Sequence, residues 1–244
     1  MALFKQLLSS DVRLLIANHA WYFIYNDYQN DPCFYRSRLM DAIQSGYDDL
    51  EKDAAAMLCA ISIYTGDEDA RREIFCHHFT AELASKVCTE ASYHFEDECH
   101  HDFCKEIILH MAKTYAMNDY TLHQEFFEKS IRIERDKEFL LELAHTSATP
   151  GIPVELLKFL CDTEENISDF AEIICAAVRQ ATNLSGDKIA WIHADAIVRC
   201  ISHLYDVTKD CPEKLTVCLD AWDALFQNHF RNIQNLSTLL DNMN

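Results

Sequence analysis

Four glycines in 244 residues narrow the choices open to this chain more than any other feature. Average usage of about 7% would supply roughly 17. Gly46, Gly66, Gly151 and Gly186 each lie in a short polar break, as do Pro32, Pro150, Pro153 and Pro212. Between the breaks the apolar residues recur with a helical period. In "NISDFAEIICAAVRQATN" the set is Phe170, Ile173, Ile174, Ala177 and Val178, spaced i, i+3, i+4, i+7, i+8. "CPEKLTVCLDAWDALF" repeats it with Leu215, Cys218, Leu219, Trp222, Leu225 and Phe226, and Pro212 falls where a first-turn proline is tolerated. Alternating strand patterns of useful length are missing. The sequence predicts an all-α chain.

About a dozen helices of 10 to 20 residues are expected, joined by short loops that force successive helices into antiparallel pairs. Several open on acidic residues, which complement the helix dipole: "YDDLEKDAAAML" from 47, "GDEDARREIF" from 66 and "FEDECHHDFC" from 95. Recurring openings point to helix pairs stacked as a HEAT-like α-solenoid, with a compact helical bundle as the rival arrangement. The expectation is one repeat domain over 1–244, divisible into sub-blocks 1–116 and 117–244.

The formal net charge is −19, and lysines and arginines form no long run. Such a surface repels phosphate backbones and anionic membranes, so nucleic acid and membrane are excluded as expected partners and a protein or a small molecule is favoured. No apolar run reaches the roughly 18 residues of a membrane span. "MALFKQLLSSD" has no apolar run with a small-residue cleavage site, so no export signal is read there. A cytoplasmic location follows. Eleven cysteines without framework spacing then read as reduced thiols.

The two ends differ. "NHFRNIQNLSTLLDNMN" has a narrow apolar stripe and a polar remainder, as a terminal capping repeat requires. From Leu14 to Tyr25, "LLIANHAWYFIY" is apolar in every direction, as in a helix covered on all sides. Either the chain dimerises there, a partner docks there, or a longer protein supplies the cover. Aromatic residues anchor interfaces and also fill cores, and both readings stand. Trp21, Tyr22, Tyr25 and Tyr28 are the residues an interface would use.

Residues 76–110 hold ten of the chain's 23 histidines and cysteines: Cys76, Cys88, Cys99, Cys104, His77, His78, His94, His100, His101 and His110. Structural zinc favours close pairs, and only Cys99 with Cys104 and His100 with Cys104 approach that spacing. Projected as a helix, Phe103, Ile107, Ile108, Met111 and Tyr115 define a core face that takes in His100 and Cys104. Glu98, Asp102, Lys105, Glu106 and Lys113 lie opposite. His78, His100, His101 and Cys104 are thus the metal candidates, against a reading as buried thiol and satisfied histidine. "HHD" at 100–102 carries the His-Asp dipeptide of the HD phosphohydrolases, with His78, His101 and Asp102 as the ligands and Asp169 as a later one. A di-iron bundle would need paired Glu-x-x-His motifs, found at Glu98/His101 and Glu142/His145, with Glu125 and Glu128 between. The preferred reading is plainer: a helix start with an acidic cap, a core thiol and wet carboxylates. No residue is assigned a catalytic or cofactor-binding role, no cofactor is expected, and no phosphate-binding loop is present.

"FFEKSIRIERDKEFLLELAHTSATPGIPVELLKFLCD" (126–162) and "HADAIVRCISHLYDVTKDCPEKLTVCLDAWDALFQ" (193–227) resemble the HEAT-like repeats that close large bacterial NTPases of the NACHT/STAND type, many of them linked to phage defence. "GDEDARREIF" resembles the acidic-then-arginine openings of those repeats, whereas "FEDECHHDFC" has histidines where arginine is usual. The resemblance implies a non-catalytic sensor or target-recognition module. Its partner would be a protein or the NTPase portion of a longer chain.

Overall fold

The computed structural model describes residues 28–117, 121–122, 124–132, 136–162, 167–185 and 191–208. Trp21, Tyr22, Tyr25, the apolar stretch 14–25, Trp222 and the polar last helix lie outside these residues. Among the described residues there are ten α-helices and no strand, so the all-α expectation holds. The chain divides into two compact units, Met1–Met111 and Ala112–Asn244.

The first unit opens with a 3-10 turn, Tyr28–Asn30. It continues as α1 (Pro32–Ile43), α2 (Asp48–Thr65), α3 (Glu68–Cys76), α4 (Ala81–Tyr93) and most of α5 (His101–Thr114). Side chains stop and start these helices as the sequence pattern requires. Asp31 accepts from the Phe34 amide with Pro32 in the first turn. Asp67 accepts from the amides of Asp69 and Ala70, and Thr80 from that of Leu83. Each satisfies a donor the helix leaves orphaned, worth about 1 kcal/mol. Gly66 ends α2 at φ 65°, the left-handed region where a Cβ is strained. Only Gly66 and Asp67 then separate α2 from α3.

Alternate helices of this unit run parallel, side by side. Near the start of α2, Lys52 Nζ lies 3.1 Å from Glu82 in the first turn of α4. Midway, the Cys59 thiol donates to the Val87 carbonyl at 3.5 Å. At the far end Tyr64 Oη meets His94, which caps α4, at 2.8 Å. Matching ends along the whole length make α2 and α4 parallel. Arg36 in α1 pairs with Asp67 and Asp69 at the opening of α3, both at 2.9 Å. Arg71 in α3 stacks over the Phe103 ring of α5 at 3.9 Å, and Phe75 meets the His110 ring edge-on. One layer is therefore α1, α3, α5 and the other α2, α4.

The core of the unit centres on α2. Leu58, Cys59, Ala60, Ile61, Ser62 and Ile63 are all buried, and six consecutive residues at 100° steps sweep every direction. Small side chains on the back of the helix let its neighbours close in.

The second unit holds α6 (Gln124–Arg132), α7 (Lys137–Thr146), α8 (Gly151–Asp162), a 3-10 turn (Ile167–Phe170), α9 (Ala171–Ser185) and α10 (Trp191–Thr208). α7 packs on α9, α8 on α10, and α8 also on α6 and α9. Lys137 opens α7 and lies 5.4 Å from the ring of Phe170, just before α9. Gln180, well along α9, donates to the Ser147 carbonyl at the end of α7 at 2.7 Å. α7 and α9 are thus parallel as well. Phe127 stacks on Phe159 at 6.3 Å and Phe126 meets Phe139 edge-on, filling the space between α6, α7 and α8. The stripe expected on α9 is buried at Ile173, Ile174, Ala177 and Val178, while Phe170 is only half-buried. Cys175 and Ala176, off the stripe, are buried too, so α9 is covered all round over this span.

Candidate functional site

Two nodes of hydrogen-bonded polar side chains lie at one end of the first unit, where α2 and α4 finish and α1, α3 and α5 begin. In the first, Tyr28 Oη donates to Asp67 Oδ2 at 2.6 Å, and Arg36 Nη1 donates to both oxygens of the same carboxylate, at 3.2 and 2.9 Å. Arg36 Nη2 reaches Asp69 Oδ2 at 2.9 Å. Burial alone would raise the pKa of Asp67. The Tyr28 hydroxyl, the Ala70 amide, the Arg36 guanidinium and the Asp69 amide outweigh it, and the net direction is down. Burial, then the bond to Asp67 and its charge, push the Tyr28 phenol well up. Tyr28, grouped on sequence with Trp21, Tyr22 and Tyr25 as an interface residue, is only 3% exposed. Its hydroxyl serves an internal acid and offers no surface to a partner.

The second node joins Tyr64, His94 and Glu90. His94 Nε2 lies 3.0 Å from Glu90 Oε1, and an ionised carboxylate only accepts, so this nitrogen carries the proton. In the neutral ring Nδ1 then accepts the Tyr64 O–H. The Tyr64 ring also meets His94 and His100 edge-on, at 5.0 and 4.9 Å. His100 Nε2 in turn lies 3.7 Å from Asp97.

Beside this node lies the stretch "FEDECHHDFC". The stretch is a helix start as expected, but its acidic residues lie mostly in a turn over 94–100, and α5 begins only at His101. Asp97 organises the turn, accepting from the Cys99 amide through Oδ1, while its own carbonyl accepts from the His100 amide. Phe95 is fully buried and anchors it. The projected core face of α5 shifts accordingly. Its buried residues are His101, Cys104, Ile107, Ile108, Met111 and Ala112, whereas His100, Phe103 and Tyr115 are half-buried. His101 rather than His100 faces inward, 1% exposed. Its Nδ1 lies 2.6 Å from the Phe95 carbonyl, which only accepts, so Nδ1 bears the proton.

The metal and catalytic candidates do not converge. His78 is exposed, His101 is committed to Phe95, and Asp102 is 89% exposed beside Lys105 at 2.9 Å. Cys104 is buried and Cys99 exposed. Glu98 lies in the turn rather than on α5, while Glu142, His145 and Asp169 are exposed and Glu128 half-buried. Among the described residues no three His, Cys, Asp or Glu side chains meet where a metal ion could sit. The thiols of Cys59, Cys88 and Cys104 are held in the protonated, unreactive form. Burial, then the charges of Glu90 and its thiol neighbours, push Cys59 up; burial alone pushes up Cys88. Burial and the charge of Asp97 take Cys104 to about 12.

Sequence reasoning missed Tyr64, which lies 30 residues from its partner His94, and Glu90, one turn before it. Glu90 and His94 at i, i+4 were a legible pair signal; nothing in the sequence pointed to Tyr64.

Fold and site together define the class: among the described residues, an all-helical protein with helices paired in parallel and two clusters of hydrogen-bonded polar side chains at one end of its first unit. Beyond the class, the chain matches no family model, no curated protein and no solved structure. No helix among the described residues is long and apolar enough to cross a membrane.

Proposed function

We propose that this chain is a non-catalytic interaction module: a HEAT-like helical repeat region that senses or recognises a target and receives a protein partner or the NTPase portion of a longer chain, in the cytoplasm and in a phage-defence setting as the sequence resemblance implies. The observation that carries the reading is the parallel pairing of alternate helices, α1 with α3, α2 with α4, α3 with α5 and α7 with α9. Stacked helix pairs build such neighbour-to-neighbour contacts, and the extended faces they create serve binding. The charge of −19 favours a protein partner over nucleic acid. Commitment of His101 to a backbone carbonyl and protonation of the buried thiols support a non-catalytic role.

Two measurements test this. The purified chain, assayed for phosphodiesterase activity with Mn²⁺, Mg²⁺ or Zn²⁺, should show no turnover and contain well under one metal per chain. Turnover abolished by Asp102→Ala, a change at an exposed side chain that leaves the fold intact, would overturn the reading. Proximity labelling in the native cell should recover a protein that then binds the purified chain saturably in calorimetry.

A further inference from the structure

We draw no further inference here: the strongest candidate, the Glu90–His94–Tyr64 relay with the acidic turn 94–100 beside it at one end of the first unit, belongs to the site already described, and nothing among the described residues shows what would bind over it.

Discussion

Two tyrosine hydroxyls tie neighbouring helices at the same end of the first unit, and they differ in what receives the proton. Tyr28 donates to Asp67, a carboxylate that also takes Arg36 and two backbone amides. Tyr64 pairs with Nδ1 of the His94 imidazole, whose Nε2–H donates to Glu90. The first node is a charge cluster with both Arg36 and Asp67 side chains 15% exposed. Groups so enclosed gain little from each other on balance, yet removing one strands the rest. The second node spreads its bonds over three side chains, beside a turn anchored by the buried Phe95. Charged groups make up the first node, and aromatic rings and neutral hydrogen bonds most of the second.

The largest effect is expected in the turn beside the second node. Phe95 is fully buried, and the His101 ring lies 4.2 Å from its own ring. Phe95→Ala should cost about 3–5 kcal/mol, as for other large core truncations. Urea denaturation measures it, and an unchanged midpoint would mean the turn is held by its hydrogen bonds instead.

Next comes the charge node. Asp67→Ala removes the α3 cap and leaves the Tyr28 hydroxyl and Arg36 Nη1 without their acceptor, while Arg36 Nη2 keeps Asp69, for a loss of about 2–4 kcal/mol. A double-mutant cycle with Arg36→Ala should return a large coupling. Additive losses would reduce Asp67 to a helix cap alone.

Asp67→Asn keeps one oxygen for the cap but replaces the other acceptor with an amide nitrogen and removes the titrating carboxylate, so the part of the gap that changes with pH reports the charge of this node. The folded-state pKa of Asp67 is depressed, so its contribution is present above the ordinary carboxyl value of about 4 and is lost as pH falls through the folded value. The stability gap between wild type and Asp67→Asn should therefore be widest near neutrality and close in acid. A gap that widened in acid would contradict the charge account. The raised Tyr28 phenol acts on the other limb: its contribution is full below about pH 10 and is lost progressively as pH rises from there through the raised folded value.

The smallest effect belongs to Tyr64→Phe, which deletes one hydroxyl and keeps the ring against His94 and His100. About 1 kcal/mol is expected, the net worth of an ordinary hydrogen bond. A loss matching that of Asp67→Ala would erase the distinction between the nodes.

Much of the fold was legible because helical period and caps are local properties. The openings at Asp48 and Glu68 fall where the acidic runs predict them, and Gly66 and Pro32 sit at the helix ends they mark. The third opening starts its helix only at His101, because acidic residues favour a helix start and a turn alike. Asp97 spends its side chain on the Cys99 amide within the turn. His100 therefore lies off the helix, and the core face is set by His101 and Cys104 rather than by Phe103, which is half-buried. Of the site, the crowding of histidines, cysteines and acids was visible, but its wiring was not.

What the sequence determined by itself was helix content, the approximate helix boundaries and the acidic surface, all of which depend on residues within a turn or two of one another. Tertiary structure alone decided which helices lie side by side and which groups spend their hydrogen bonds on each other. Tyr28 meets Asp67 across 39 residues and Gln180 meets Ser147 across 33. A periodic pattern gives a helix an inward face without naming the helix it faces. Which tyrosine meets an acid and which an imidazole is fixed only when two such faces close to within 3 Å of polar contact.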